Sequence, residues 1–258
     1  MDRSKAIDLQ RRNLDAFVRM LAAGSEDAAL FERDGVLAAI VPACPERSVI
    51  NSVTYRDAEA LGAAREELAR AYEDAGVRAW TVWVPEDERD AAELLEAAGH
   101  RLDATPLAMT LDLTDLPEPK RDDLDWDDRA VIGDVARVND NAYGFETPTF
   151  GAALARLPGE LPLRFYQARV EGEPGCVVAT LDEGDDCGVY LVATLKGHRG
   201  RGLARRLMHL ALADARERGR RTSTLQATKL GAPVYARLGY KSFGALEMWE
   251  RRSGQPAA

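Results

Sequence analysis

The stretch VYLVATLKGHRGRGLARRLM, residues 189–208, decides the fold of this chain. An apolar run typical of a buried strand ends at a loop of glycine and arginine, and a helical pattern begins directly after the loop. Glycine lets the backbone approach a ligand closely because it has no Cβ. The free N–H groups and the dipole of a helix N-terminus attract anions. The pattern therefore predicts either a phosphate-binding loop or a basic turn without a ligand.

The charge around this loop differs from that of the rest of the chain. The net charge is −9, yet residues 196–252 contain fourteen Lys and Arg against four Asp and Glu. This indicates either a solvated basic face or a phosphate-bearing ligand. The chain has no GxxxxGK[ST] sequence, and the loop lacks the full GxGxxG of a dinucleotide-binding fold, so neither of those nucleotide sites is expected.

The composition excludes several classes of protein. With 258 residues, 46% of them hydrophobic and 30% charged, the chain is not disordered, collagen-like or a disulfide miniprotein. No apolar run approaches the ~18–20 residues of a membrane span, and the N-terminus is too polar for a signal peptide. The cysteines Cys44, Cys176 and Cys187 form no CxxC pair, so we expect a cytoplasmic location. We expect no membrane or nucleic-acid partner, and the three isolated histidines predict no metal site.

Two parts of the chain repeat one order of elements. Strands beginning near Ser48 and Cys187 are each followed by helix, strand and helix, and Gly99 and Gly239 close the second helices 51 and 52 residues later. This spacing favours a tandem duplication of one unit. The predicted fold class is α/β (α+β), with two domains that each have a mixed, mostly antiparallel twisted sheet flanked by helices.

The segment LPEPKRDD, residues 116–123, contains two prolines and five charges and is the best candidate for a linker. We therefore predict domains over residues 1–116 and 124–258, joined by residues 117–123.

Residues 122–252 resemble the GNAT superfamily of acyl-CoA-dependent N-acetyltransferases. The loop follows the family pattern [R/Q]-x-x-G-x-[G/A], and LQATKLGAPVYARLGY (225–240) follows the pattern N-x-x-A-x-x-x-Y-x-x-x-G-F. The matching residues are Arg199, Gly202, Ala204, Tyr235, Gly239 and the aromatic Tyr240. Thr228 replaces the usual Asn, a departure that bears on a cofactor contact, and Gly231 replaces the usual Ala, which matters less.

The resemblance implies acetyl-CoA as co-substrate and no metal. Backbone amides of the loop would hold the pyrophosphate, and the strand end would separate from its neighbour to pair with the pantetheine arm. The implied cofactor-binding residues are Val192, Thr194, Leu195, Arg199, Gly200, Arg201, Gly202, Leu203, Ala204, Arg205 and Thr228. One strand amide would face the thioester carbonyl, and Tyr235 would protonate the leaving thiolate. From the residues alone, Tyr235 also fits a packing role between helix and sheet.

The resemblance further implies that the first helices of this domain line the acceptor pocket. The candidates are Asn139, Tyr143 and Phe145, for which core packing at a helix end is the alternative. No general base is assigned. The carboxylates Asp182, Glu183, Asp185 and Asp186 precede the cofactor strand in a pattern typical of a solvated turn, and a water chain would also serve as base.

The first half lacks these features. The spacing places residues 56–61, with Asp57 and Glu59 in place of the two glycines, opposite the loop, and it places Leu95 opposite Tyr235. Carboxylates there would repel a phosphate. We therefore predict a degenerate GNAT-like domain that covers a sheet edge, walls the acceptor cleft or forms a homodimer.

The sequence thus predicts an N-acetyltransferase that moves acetyl from acetyl-CoA to a primary amine by direct attack in a ternary complex. The acidity outside the basic quarter favours a cationic small-molecule acceptor. The alternative is a non-catalytic acyl-CoA sensor or partner-binding module, which would bind CoA without releasing thiol. A longer acyl chain or a protein N-terminus as acceptor also stays open.

Overall fold

The computed structural model describes residues 2–145, 149–157 and 162–253. The helices are α1 (Arg3–Ala23), α2 (Ala58–Asp74), α3 (Arg89–Ala97), α4 (Ile132–Tyr143), α5 (Phe150–Ala153), α6 (Leu203–Glu217) and α7 (Ala232–Ala236). Within these described residues, no helix is long and apolar enough to cross a membrane.

The strands alternate with the helices along the chain. They are β1 (Ala29–Arg33), β2 (Val36–Ile40), β3 (Ser52–Tyr55), β4 (Ala79–Pro85), β5 (Arg101–Ala104), β6 (Leu107–Asp112), β7 (Trp126–Asp127), β8 (Leu163–Val170), β9 (Glu173–Glu183), β10 (Asp186–Thr194), β11 (Thr222–Ala227) and β12 (Lys241–Arg252). The predicted mixed α/β class with mostly antiparallel sheets and flanking helices is confirmed.

The chain forms two compact units. Unit 1 comprises residues 1–13, 108–151 and 160–243, and unit 2 comprises residues 14–107, 152–159 and 244–258. These are not the consecutive ranges 1–116 and 124–258 expected from the sequence. The physical reason is strand pairing, since the last strand of each half is hydrogen-bonded in the unit built by the other half.

In unit 1 the strand order is β6-β11-β10-β9-β8-β7. The β8–β9 and β9–β10 pairs are antiparallel, and the β10–β11 pair is parallel. Strand β6 comes from the first half of the sequence, and its Met109 and Leu111 join Val189, Leu207 and Leu225 in the core of this unit. Helix α6 packs on this core with an almost continuous apolar face.

Unit 2 repeats the plan with the order β1-β2-β3-β4-β12. Its β1–β2 and β2–β3 pairs are antiparallel, and its β3–β4 pair is parallel. Strand β12, from the second half of the sequence, pairs with β4 and also with β5. Trp249 of β12 lies in the same core as Val82 and Leu68. The parallel pair occupies the same place in both units, as expected for a tandem duplication.

The segment expected to be a linker is bound along α6 within unit 1. Its contacts are Leu116 O with Arg216, Pro117 O with His209 Nε2 (2.6 Å), Glu118 with Arg216, Arg121 with Glu217 (2.7 Å) and Asp123 O with Arg206 (2.6 Å). Three of its five charges, those of Glu118, Arg121 and Asp123, pair with helix side chains. Residues 117–123 are therefore a strap on α6.

Candidate functional site

The glycine–arginine loop of unit 1 forms an uncapped helix N-terminus. After a 3-10 turn (Lys196–His198), Gly200 and Gly202 take left-handed φ angles of 78° and 73°. Side chains other than glycine rarely adopt this conformation. Helix α6 begins directly after Gly202, and within the described ranges no side chain caps it. Its first amides are thus available to an anion.

Two of the four arginines around the loop are available to a ligand. Arg201 and Arg205 are exposed and form no ion pair with any described residue. Arg206 turns away, donating to Asp123 O at 2.6 Å and to Arg201 O at 3.3 Å. Arg199 is also occupied by backbone carbonyls and pairs with no described carboxylate. The positive charge facing the helix N-terminus is therefore smaller than the sequence indicates.

Strands β10 and β11 separate after three paired residues. Their parallel register runs from Asp186–Thr222 to Gly188–Thr224 and no further, although β10 continues to Thr194 and β11 to Ala227. The register of β10 with β9 also shifts between Tyr190 and Ala193, where two residues of β10 oppose one of β9, which is a β-bulge. The edge of β10 that carries Val192 and Thr194 thus faces an opening, the geometry that the resemblance implies for a pantetheine arm.

Tyr235 lies beside this opening on α7 and is 8% exposed. Its ring meets the ring of Tyr240 edge-on, with centroids 6.1 Å apart. Burial raises the pKa of Tyr235 well above its ordinary value of 10, and the nearby Tyr143 and Cys176 raise it further. Its hydroxyl has no hydrogen-bond partner among the described residues, so a neutral phenol with a free donor is present at this point.

Gly231 makes room for Tyr235. A Cβ on this glycine would lie 2.7 Å from Cε2 of the Tyr235 ring, closer than real Cβ contacts come. The substitution of the family's usual Ala therefore matters more than the sequence suggests. Thr228 is exposed, and it holds the turn into α7 by accepting the Gly231 N–H at Oγ1 (3.2 Å) and the Ala232 N–H at its carbonyl (2.9 Å). A cofactor contact by Thr228 stays a prediction.

The acceptor-side candidates lie at the end of α4. Tyr143 and Phe145 stack with ring centroids 6.0 Å apart and planes 15° apart, across the left-handed Gly144. Tyr143 is 52% exposed, so the pair presents an aromatic surface, and its phenol is near enough to Tyr235 to act on it electrostatically. Asn139 is buried, 3% exposed, and does not share this surface.

The carboxylates before β10 have other roles. Asp182 accepts two hydrogen bonds from Arg218, each of 2.9 Å. Asp186 is 1% exposed and accepts from Thr222 and Thr224 at 2.8 and 2.6 Å. Asp182 and Asp186 are thus held by these partners, and neither is assigned as a base.

In unit 2 a side chain caps the equivalent helix N-terminus. Asp57 is the N-cap of α2, and its Oδ1 accepts the Ala60 N–H at 2.8 Å. The residue opposite Gly202 is therefore Asp57, not Glu59, because α2 has 17 residues and α6 has 15. Leu95, opposite Tyr235, is fully buried and has no proton to give. Unit 2 thus has neither an open anion site nor an acid at these positions.

Some residues of the site have no signal in the sequence. Leu191 adopts a φ of 52° at the bulge, which β-strand patterns do not reveal. Cys176 lies on β9 opposite Thr194, whose Oγ1 is 3.3 Å from its Sγ, and burial raises the pKa of this thiol to about 11. A lone cysteine in an apolar strand gives no indication that it lies near an opening.

Comparison with known proteins bears on this arrangement. Residues 162–242 match the family model described as the acetyltransferase (GNAT) domain. No curated protein matches the chain.

Solved structures share the fold over almost the whole chain. A GCN5-related N-acetyltransferase from Kribbella flavida has a TM-score of 0.71 at 17% identity, covering 95% of this chain and 96% of its own. A GCN5-related N-acetyltransferase from Sphaerobacter thermophilus has a TM-score of 0.60 at 17% identity, covering 94% and 93%. A tandem GNAT protein from the clavulanic acid biosynthesis pathway has a TM-score of 0.58 at 14% identity, covering 96% and 94%. Residues 162–242 thus match the GNAT domain family, and the chain as a whole shares its fold with these structures.

Proposed function

We propose that unit 1 is an N-acetyltransferase that moves an acetyl group from acetyl-CoA to a primary amine by direct attack. The observation that carries this proposal is the uncapped N-terminus of α6, framed by two left-handed glycines, next to the open edge of β10. Amides without partners fit a diphosphate, and an unpaired strand edge fits the two amides of a pantetheine arm. Acetyl-CoA as co-substrate supplies the activated thioester.

The residues of the loop would bind the co-substrate mainly through the backbone. The amides from Arg199 to Arg205 would hold the pyrophosphate, although the Arg199 N–H already donates to Lys196 O at 3.4 Å, and Arg201 and Arg205 would add charge. The edge from Val192 to Leu195 would align the arm, although Leu195 N–H already donates to Gly175 O at 3.0 Å. A strand amide at the bulge would steady the oxyanion that forms as the amine attacks, a type of contribution worth about 3 kcal/mol.

Tyr235 would give its phenolic proton to the departing thiolate. Burial keeps this phenol protonated through the physiological range. The thiolate of an ordinary thiol, whose pKa is about 8.5, is a weaker base than a buried phenolate. Burial raises both pKa values, since the Cys176 thiol in the same region has a pKa raised to about 11 and the pKa of Tyr235 is raised as well. A thiolate formed there would be more basic than one in water, which favours proton transfer from Tyr235.

We further propose a small-molecule amine as acceptor, seated against the stacked Tyr143 and Phe145. The negative charge outside the basic quarter would steer a cationic amine to the protein. A cytoplasmic location agrees with Cys44, Cys176 and Cys187, which are all free and buried. A homodimer formed through unit 2 completes the proposal.

The proposal is tested with CoA binding by calorimetry and with acetyl-CoA-dependent thiol release over a panel of amines, polyamines, aminoglycosides and peptide N-termini. We expect Tyr235→Phe to lower kcat by a factor of roughly 10² or more, with CoA affinity unchanged. The matched control is Tyr240→Phe, which removes a neighbouring hydroxyl that is bonded to Ser223 Oγ at 2.6 Å. Unchanged turnover of Tyr235→Phe across the pH range would remove the acid role. Tight CoA binding without thiol release for any amine would favour the sensor function instead.

A further inference from the structure

The side chain of Arg199 forms hydrogen bonds with two elements of unit 1, β10 and α4, which also pack against each other through Val138 and Ala193. Its Nε donates to Thr194 O at 3.1 Å, and its Nη2 donates to Ala142 O at 2.7 Å. The side chain is exposed, and none of the described carboxylates pairs with it. An arginine next to a phosphate-binding loop would ordinarily face the anion, whereas Arg199 donates its hydrogen bonds to two neutral carbonyls.

The two carbonyls belong to opposite sides of the candidate site. Thr194 is the last residue of β10, on the edge proposed to align the co-substrate. Ala142 lies in the last turn of α4, directly before Tyr143. The last carbonyls of a helix have no partner within the helix, and a cation there also interacts favourably with the helix dipole. The Arg199 guanidinium therefore gives a carbonyl in the last turn of α4 the hydrogen-bond donor that the helix itself does not supply.

We infer that Arg199 is a positioning residue that couples the co-substrate loop to the acceptor-side aromatic pair. This inference rests on the proposed function. Because the loop backbone at residues 199–205 would bind the pyrophosphate, ligand binding fixes the base of the Arg199 side chain. The planar guanidinium then holds the end of α4, and with it Tyr143 and Phe145, in register with the edge of β10. A lysine has the charge but not the two directed donors, so it does not replace this function.

The electrostatics of the site agree with this geometry. The Arg199 guanidinium lies near enough to the Tyr143 phenol to interact with it, and Tyr143 in turn acts on Tyr235. Electrostatic interactions thus connect the loop, the end of α4 and the proposed acid. By contrast, Arg206 in the first turn of α6 donates to Asp123 O of the strap and, among the described residues, forms no hydrogen bond or ion pair with α4.

The test is hydrogen–deuterium exchange of the full chain with and without CoA, read in peptides covering residues 136–145 and 196–206. In the wild type we expect CoA to slow exchange in both peptides. In Arg199→Met and Arg199→Lys we expect CoA to bind within about fivefold of the wild-type affinity and to protect residues 196–206, but no longer residues 136–145. Arg206→Met, the matched control, should retain both protections. In steady-state assays the Arg199 variants should raise KM for the amine about tenfold or more and leave KM for acetyl-CoA nearly unchanged.

The outcomes separate the two proposals. If CoA neither binds to the wild type nor protects its loop, both the proposed function and this inference fail. If CoA protects residues 136–145 equally in the wild type and in Arg199→Met, the inference alone fails and the proposed function stands. If Arg199→Lys keeps the protection, charge rather than the directed bridge is responsible, which also overturns the inference. A purely structural role would speed exchange at residues 136–145 with and without CoA alike, leaving the CoA-dependent difference unchanged. Should Arg199→Met not fold, Arg199→Lys gives the same decision.

Discussion

A carboxylate at the N-terminus of α6 should abolish co-substrate binding, and the chain itself shows why. In unit 2, the Asp57 carboxylate accepts the Ala60 N–H at 2.8 Å and so fills the N-terminus of α2. Gly202→Asp places a carboxylate at the N-cap of α6 beside the same kind of amides, although Gly202 has a left-handed φ of 73° where Asp57 has an extended φ of −154°. The space is sufficient, since nothing lies within 4 Å of a Cβ built on Gly202. The carboxylate would then compete with the phosphate for the amides and repel it.

The size of the effect follows from Coulomb's law. Two unit charges about 5 Å apart at an effective dielectric constant of about 20 repel by about 3 kcal/mol. At about 1.4 kcal/mol per factor of ten, CoA should bind Gly202→Asp more than a hundredfold more weakly than the wild type. Gly202→Asn is the matched control because it has nearly the same shape and tolerates the left-handed φ of 73°. We expect a loss of only a few fold for this variant.

Calorimetry with CoA measures this difference, and thermal unfolding checks that both variants fold. The left-handed backbone costs either side chain about 1–2 kcal/mol, so the two melting temperatures should agree within a few degrees. As a second control, Asp57→Ala should destabilise the protein by about 1 kcal/mol and leave CoA affinity unchanged. Equal CoA affinities of Gly202→Asp and Gly202→Asn would refute the reasoning, because charge at the helix N-terminus would then not matter.

Three further substitutions test contacts elsewhere in unit 1. Burial raises the pKa of Asp186 from 3.8 to about 6, so the folded state binds this proton more tightly than the unfolded state. Relative to Asp186→Asn, the wild type should therefore lose about 3 kcal/mol of unfolding free energy as the pH rises from about 4 to about 7, and a pH-independent difference in urea titrations would contradict this. Gly231→Ala should lower kcat more than it changes KM for acetyl-CoA, because the new Cβ displaces the Tyr235 ring at 2.7 Å, and unchanged kinetics would show that the ring position is unimportant. Gly188→Ala should cost about 1–3 kcal/mol, since its Cβ would lie 1.9 Å from Asn13 Oδ1, and the double variant with Asn13→Ala should recover part of the loss; purely additive effects would exclude the clash.

The repeat and the anion loop are readable from the sequence because both depend on local rules. Glycines after a helix and an apolar run before a loop mark the ends of elements, so the predicted order of strands and helices survives in both units. The left-handed angles at Gly200 and Gly202 follow from the same local preference. The family motif adds the place of Tyr235, which a pattern of hydrophobic residues does not distinguish from a packing residue.

The exchange of final strands could not be read in the same way. The residues of β6 and β12 alternate as any half-buried strand does, and nothing in that pattern states which sheet edge they join. The linker was misjudged for a related reason. Prolines and charges indicate exposure, but residues 117–123 find their ionic partners on α6, more than eighty residues later in the chain. Contacts of this range depend on the tertiary fold, which spacing does not encode.

Within the candidate site, the directions of the side chains could not be predicted from the sequence either. The sequence counts Arg199, Arg201, Arg205 and Arg206 as four equal charges, whereas the structure leaves only Arg201 and Arg205 unpaired among the described residues. Carbonyl acceptors such as Thr194 O and Ala142 O belong to every backbone and have no sequence signature. The role inferred for Arg199 therefore depends on geometry alone.

The two units differ at the residue that precedes the helix between their parallel strands. Both have the same strand order, with the parallel pair feeding a helix at the same place. At that helix, Asp57 has an extended φ of −154° and satisfies an amide with its own carboxylate, whereas Gly202 has a φ of 73° and leaves the amides open. An Asp N-cap stabilises a helix by about 1 kcal/mol. The same carboxylate occupies the N-terminus of α2, so an anion cannot bind there. Unit 1 lacks that stabilisation, and its open amides are the reason to expect a ligand whose phosphates replace the missing cap.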